Sequence, residues 1–390
     1  LMSVINSDSV RAGASGVSAA YTIDNSCIFN SADSAYLHKT PGGAGNGQVF
    51  TISVWIKLGD LTQGGIIGTG NGAVDEDTIV YANITNTIRT LIDTGTSEGD
   101  HRTTALYRDP AAWYHFVFRF ETTSAVAANR IRMYKNGDLQ DMTIGTQISQ
   151  NFTTAYNSTA IHAIGCRSPG GTPETFFDGY MADVIMIDGQ SLAPTSFAET
   201  DDNGAYVPID PSTLTFGTNG FHLDFADSSA LGNDVSGNNN DFTVVNLASS
   251  DQTTDSPTDS GTTIGNFATW NPIKLGQYMD GGVTNTFTEG NRTYTGGDSG
   301  GGSMPISTFP MDFGQSWYVE VTYDVVGAGT EYVGLIFDPV HNSATATAIM
   351  YASTGVKSLF NTETSYGATW GAGDEIGIHY DSSSDELSFY

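Results

Sequence analysis

The stretch Phe50-Thr51-Ile52-Ser53-Val54-Trp55-Ile56-Lys57 decides the fold. Its residues Phe50, Ile52, Val54 and Ile56 alternate with Thr51, Ser53, Trp55 and Lys57. Successive side chains of a strand point to opposite faces, so this alternation predicts a β-strand with two distinct sides. The same period returns in Trp113-Tyr114-His115-Phe116-Val117-Phe118-Arg119-Phe120. Ile131-Arg132-Met133-Tyr134 then runs into Lys135-Asn136-Gly137-Asp138, whose Asn-Gly pair suits a tight hairpin. Gly179-Tyr180-Met181-Ala182-Asp183-Val184-Ile185-Met186-Ile187 reads as a further strand, ended by the turn Asp188-Gly189. Gly, Ser, Thr, Asn and Asp dominate the chain and its apolar residues come in short runs, so an all-β protein with little helix is expected.

A chain of 390 residues exceeds one ordinary core, and two or three domains are expected. Against 43 acidic residues stand 14 basic ones, a formal net charge of −29. That field opposes nucleic-acid binding, which rests on Lys and Arg reaching phosphates. The acidic residues are dispersed, which fits a solvated surface, with screening by divalent cations as the alternative. Residues 1–20 carry one Arg and no continuous apolar core, so they do not read as a signal peptide. No apolar run approaches the roughly eighteen residues of a membrane span, so no membrane insertion is expected. Cys27 and Cys166 are too few for a disulfide scaffold; they are two buried thiols or, alternatively, one bridge between neighbouring strands.

The Phe50 to Ile56 strand, the Trp113-Tyr114-His115 strand, the Arg132-Met133-Tyr134-Lys135-Asn136-Gly137 hairpin and Phe177-Asp178-Gly179-Tyr180 together resemble a laminin-G-like, concanavalin A-like jelly roll. The resemblance spans roughly residues 21–198. It implies two antiparallel sheets, with any carbohydrate or protein ligand held by rim loops. Members that bind calcium place it in acidic rim loops, which makes Asp75, Glu76 and Asp77 calcium candidates against plain solvation. Trp55 and Trp113 are the aromatic residues expected at a sugar-binding groove, if they are not core. No other cofactor is required.

The fold also hosts glycoside hydrolases, which need two carboxyls held across the scissile bond. Hydrolases of this kind carry Glu-x-Asp-x-x-Glu or Glu-x-Asp-x-Glu along one strand, and no strand here has that pattern. Asp183 stands alone among apolar neighbours in its strand, and His115 between Tyr114 and Phe116 reads as structural. A noncatalytic protein is expected.

After Gln190-Ser191-Leu192-Ala193-Pro194 come Gly217-Thr218-Asn219-Gly220-Phe221-His222-Leu223-Asp224-Phe225 and Leu231-Gly232-Asn233-Asp234-Val235-Ser236-Gly237-Asn238-Asn239-Asn240-Asp241-Phe242. This series resembles the linker of tailed-phage tail and appendage proteins. Residues 199–264 are therefore expected to be a Gly/Asn/Asp-rich linker with short strands. Asp234 and Asp241 bound a loop dense in residues that bond their own backbone; they are calcium candidates without EF-hand spacing. Residues 249–261 hold no large apolar group and are expected to be a loop or hinge.

A second unit is expected over residues 265–390, where Trp317-Tyr318-Val319-Glu320-Val321, Tyr332-Val333-Gly334-Leu335 and Gly373-Asp374-Glu375-Ile376-Gly377 resemble the signature strands of a SPRY domain. The fold is thus expected to be tandem concanavalin A-like sandwiches. In that resemblance the hairpin ending at Phe389-Tyr390 would continue beyond position 390, because Leu387 and Phe389 would otherwise lie near an unprotected edge. The run Gly296-Gly297-Asp298-Ser299-Gly300-Gly301-Gly302-Ser303 reads as a hairpin tip; neither a P-loop nor a protease context surrounds it. Residues 1–20 are left as an N-terminal arm or attachment segment.

The resemblances together imply a noncatalytic virion protein of a tailed phage, a tail-fibre, head-fibre or other appendage component assembled in the host cytoplasm. Its partners would be other virion proteins and a host-surface glycan or outer-membrane component. A homo-oligomer, for example a trimer, is expected by analogy with phage fibres, although no heptads support it. The alternative is a carbohydrate-binding, lectin-like adhesin, and a glycan-degrading tailspike enzyme ranks below both.

Overall fold

The computed structural model describes residues 2–5, 21–70, 75–82, 85–168, 171–202, 204–260, 263–275, 285–296, 305–309, 314–325, 329–336, 348–359 and 362–390. For residues 2–5, 75, 76, 82, 274, 275 and 336 it describes the backbone alone. The fold is all-β; among the described residues the only helices are short 3-10 turns. The chain divides into two units, residues 11–266 and residues 1–10 with 267–390.

The first unit is a sandwich of two antiparallel sheets of eight strands each. One sheet runs in the order Asp138–Leu139, Ile131–Lys135, Trp113–Glu121, Val49–Leu58, Gly179–Asp188, Ser26–Phe29 and Gln252–Thr253, with Phe221–Leu223 also paired to Gly179–Asp188. The other runs Met142–Thr146, Ser97–Thr103, Thr87–Thr94, Asp75–Ala82, Gly64–Gly70, Ile161–Ile164, Tyr36–Lys39 and Thr243–Val245. Between them the alternating residues Phe50, Ile52, Val54 and Ile56 meet Leu37, Ile67, Ile79, Ile88 and Ile92 in one apolar core. Phe50 stacks on Phe120 of the neighbouring strand at 4.2 Å, the kind of cross-strand aromatic pair that helps fix register. The hairpin turn at Asn136-Gly137 has φ of 48° and 83°, as an Asn-Gly two-residue loop requires.

The other face of Val49–Leu58 is buried as well. Thr51, Ser53, Trp55 and Lys57 are all covered, although three of them are polar. The cover comes from the segment read as a linker. Tyr206 lies against Trp55 and His115, and Asp255 bonds Lys57 and Trp113. Phe221–Leu223 and Gln252–Thr253 extend the first sheet, Thr243–Val245 extends the second, and Phe221, Leu223, Phe225, Leu231 and Phe242 join the core between the sheets. Residues 199–264 are therefore no tether but part of the first sandwich. Single apolar residues spaced between Asx turns carry little periodicity, which is why the segment reads as polar. The stretch expected as a hinge is anchored too: Thr258 Oγ1 accepts from Ile23 N at 3.0 Å and donates to Ile23 O at 2.8 Å, and Ser256 is fully buried.

The second unit contains two four-stranded sheets. One is Met2–Ile5, Trp317–Thr322, Glu375–Asp381 and Glu386–Phe389; the other is Tyr332–Ile336, Ala348–Ala352, Val356–Leu359 and Thr362–Ser365. The backbone of Met2–Ile5, in the segment read as an arm, pairs antiparallel with Trp317–Thr322. Val319, Val321, Val333, Tyr351, Trp370, Ile376, Ile378 and Phe389 make the core of this unit. Glu386–Phe389 is the outer strand of its sheet, as expected, and the Phe389 ring packs against Tyr351 at 5.6 Å while its N–H donates to the Tyr366 hydroxyl. Beyond Gly296, the glycine-rich run to Ser303 lies outside the described residues. Cys27 and Cys166 are buried free thiols. Among the described residues no helix is long and apolar enough to cross a membrane.

Candidate functional site

Chemistry-bearing side chains of the first sandwich gather in two places: under the covering segment of the first sheet and on the outward face of the second. Under the cover, His115 Nε2 lies 2.7 Å from Ser53 Oγ and its Nδ1 lies 3.0 Å from Tyr206 OH. Trp55 stacks on the imidazole at 4.6 Å. Burial pushes the His115 pKa down to about 3, so the ring is neutral. The serine–histidine pair is sealed on every side, and a base that cannot reach a substrate performs no proton transfer on it.

A second buried set centres on Asp183. This residue sits at φ 43° where the register of Gly179–Asp188 shifts against Val49–Leu58. The bulge turns its carboxylate toward Tyr21 OH at 3.1 Å and His222 Nε2 at 2.9 Å. The backbone N–H of His222 donates to Asp234 Oδ1, and that carboxylate also accepts from Ser236 N, Ser236 Oγ and Asn240 N. Donors, not oxygen ligands, converge on Asp234, and Asp241 Oδ1 accepts from Asp234 N at 2.9 Å. The pair caps its loop through these hydrogen bonds.

The remaining calcium candidates are placed differently from the rim loop expected for them. Asp75, Glu76 and Asp77 open a strand, Asp75–Ala82. The side chains of Asp75 and Glu76 lie outside the described residues. Asp77 points inward, is buried and accepts from Ala155 N. Among the described residues no group of three His, Cys, Asp or Glu side chains is set to hold a metal ion. Trp55 and Trp113 are 4% and 9% exposed, beneath the covering segment, so neither offers an open ring face to a sugar. Trp113 Nε1 instead donates to Asp255 Oδ1 at 3.0 Å.

The outward face of the second sheet is different. His101 and Thr103 point into the core, so Asp100 and Arg102 point out, and Arg89 is directly opposite Arg102 in register. Asp100 takes Arg89 in a bidentate pair, with Nε at 2.7 Å and Nη2 at 3.0 Å. The hydrogen bonds from Arg89 hold the Asp100 carboxyl below the usual carboxylate range, and the Arg102 charge acts in the same direction. Among the described residues no hydrogen bond occupies the Arg102 guanidinium. Thr143, directly across from Arg102 on the edge strand, is exposed.

One side of this face is walled. Gly65 and Gly68 lie beneath the segment Cys166–Ser168, where a Cβ on Gly65 would come within 2.2 Å of Arg167 N. Arg167 and Glu174 exchange backbone hydrogen bonds at 2.9 Å, which holds the wall's loop in place. The open patch thus runs from that wall across Arg89 and Arg102 to Thr143. The sequence reading passed over these residues, although two arginines one hairpin apart stand out in a chain with 14 basic residues.

Residues 30–194 match the family described as the concanavalin A-like lectin/glucanases superfamily. This part of the chain is a concanavalin A-like domain. Its sheets supply both the covered face and the arginine face. No curated protein matches the chain. Among solved structures, the chain is similar to a SAP-like pentraxin from Limulus polyphemus at 14% identity, over 45% of this chain and 80% of that one, with a TM-score of 0.34. It is also similar to the CBM40 of a Ruminococcus gnavus IT-sialidase bound to α2,3-sialyllactose, at 11% identity over 40% and 92% of the two chains and a TM-score of 0.28. Domains LG4-5 of the mouse laminin α1 chain align at 15% identity over 50% and 51%, with a TM-score of 0.32.

Proposed function

We propose that the concanavalin A-like domain is a noncatalytic, lectin-like adhesin module that takes an acidic glycan on the outward face of its second sheet. One observation carries this reading: on a chain of net charge −29, Arg89 and Arg102 stand directly opposite each other on an open sheet face, with Asp100 paired to Arg89 alone by hydrogen bonds. A guanidinium matches a carboxylate in plane, and the bidentate Arg89–Asp100 pair would fix the neighbouring donors for sugar hydroxyls. The noncatalytic part is supported by the sealed His115–Ser53 and His222–Asp183 pairs and by a sequence without the Glu-x-Asp-x-x-Glu or Glu-x-Asp-x-Glu pattern. A phage-particle address for the module rests on the resemblance of residues 190–244 to appendage linkers.

Arg102→Ala is expected to weaken binding of uronate- or sialate-bearing oligosaccharides by about tenfold to a hundredfold, the worth of one charge-assisted hydrogen bond. Arg108→Ala, at an exposed position off this face, is expected to leave it unchanged. Calorimetric titration against acidic and neutral oligosaccharides reads both. Equal affinity of the wild type and Arg102→Ala, or preference for neutral sugars, overturns the assignment.

A further inference from the structure

The strongest feature outside the arginine face is a three-membered cluster under the covering segment. Lys57 follows Trp55 on the covered side of Val49–Leu58, and its side chain is wholly buried. Its Nζ lies 2.7 Å from Asp255 Oδ2 and 2.9 Å from Asn266 Oδ1. In register it sits between Trp113 and Tyr180 of the two adjoining strands, with Nζ 5.4 Å from the Tyr180 ring centre. Trp113 Nε1 anchors the other oxygen of Asp255, and Asn266 Nδ2 donates to Ala111 O at 2.8 Å. An amine, a carboxyl and a carboxamide therefore meet in a site walled by aromatic rings. This is the set of groups that makes an amide bond without any external reagent.

The geometry points to a covalent cross-link: Lys57 Nζ condenses with the Asn266 side-chain amide to form an intramolecular isopeptide bond, with Asp255 as the proton shuttle. Burial draws the Lys57 pKa below that of an ordinary amine, and the neighbouring Asp255 charge opposes this only in part. In so dry a site a neutral amine and a protonated carboxyl compete with the ion pair. Asp255 takes the proton from Nζ, and the freed lone pair attacks Cγ of Asn266. The protonated Asp255 supports the charge developing on Oδ1, gives its proton to Nδ2, and then takes the second proton from Nζ. The Cγ–Nδ2 bond breaks and one ammonia leaves as the Nζ–Cγ amide forms. One ammonium and one carboxamide become one secondary amide plus ammonia, which carries the remaining proton off Asp255 as ammonium and returns it to the carboxylate; nothing is oxidised or reduced. Ala111 O, which holds Nδ2, orients the carboxamide.

The bond would lock the covering segment onto the sheet, because Asn266 is the last residue of the first unit. Intact-mass measurement and proteolytic mapping of the full chain test it. The wild type is expected to fall short of its sequence mass by one ammonia and to yield a branched peptide joining the Lys57 and Asn266 fragments. Asn266→Ala keeps the Lys57–Asp255 pair and is expected to show its full sequence mass. A wild type of full mass with separate, unmodified Lys57 and Asn266 peptides overturns the proposal and leaves an ordinary buried ion pair. A loss of one water with a Lys57–Asp255 branch likewise overturns the proposal, as does a loss of ammonia without the branched peptide, which an asparagine succinimide would give.

Discussion

Four buried histidines of the first sandwich respond to pH in two opposite ways. Burial pushes His115 down to about 3 and His101 and His162 down to about 4. His162 shows how a neutral ring is held: its Nε2 accepts from Asn157 N, and its Nδ1–H donates to Ala160 O. Burial also acts to lower His222, but the hydrogen bond and charge of Asp183, with the charges of Asp224 and Asp234, win and raise it. The signs follow by linkage. Below the unfolded value of about 6.5 the unfolded chain takes up protons that His115, His101 and His162 refuse, so their effect lowers stability as pH falls toward their folded values. The His222 pair contributes stability that is complete below its unfolded value and is lost as pH rises through the raised one. Because the His222 contribution is already complete below about 6.5, it does not offset the other three, and the denaturation midpoint in urea is expected to fall between about pH 6.5 and 4.5. Imidazole NMR titration should find His222 midway above 6.5 and His115 neutral down to about pH 4. A His222 midpoint below 6.5 would show that the Asp183 pair does not hold in solution. The structural role of His115 was legible from its flanking Tyr114 and Phe116, whereas its partner Tyr206, 91 positions away, was not.

At the scale of the element, Val49–Leu58 shows how a pattern can be read correctly and still mislead. Alternation located the strand, yet Thr51, Ser53 and Lys57 imply a wet face on a strand that is dry on both sides. Each polar group finds a partner from a distant segment: Thr51 Oγ1 donates to Gln190 O, Ser53 bonds His115, and Lys57 bonds Asp255. In the Gly64–Gly70 strand, glycines serve close approach. Gly65→Ala forces a methyl against the backbone of Cys166 and Arg167 and is expected to cost about 1–3 kcal/mol, as overpacking does. Gly42→Ala, with nothing within 4 Å of the added methyl, should cost much less. Chemical denaturation compares the two variants, and equal midpoints would show that the loop over Gly65 moves aside freely. The arginine face escaped the reading at this scale too, because cross-strand neighbours are set by hairpin register and not by spacing along the chain.

For the whole molecule, the first unit extends over residues 11–266 and not only over the part that matches the concanavalin A-like family. Cutting at residue 198 would bare Trp55, Trp113, Tyr180 and Ile28, a large apolar surface on one sheet. A fragment of residues 21–266 is therefore expected to be monodisperse in size-exclusion chromatography and to unfold in one step. A fragment of residues 21–198 is expected to aggregate and bind a hydrophobic dye. If both behave alike, the covering segment contributes little to the fold. The sequence by itself determined that the chain is all-β, where most strands of the first sandwich lie and that its charge disfavours nucleic acid, because alternation, turn chemistry and net charge are local or additive properties. Tertiary structure alone decided that residues 199–264 complete the first sandwich, that Trp55 and Trp113 are covered, and that Lys57 meets Asp255 and Asn266. Those outcomes depend on contacts between segments as much as 235 residues apart, and a local periodicity carries no record of which distant segment will cover a face.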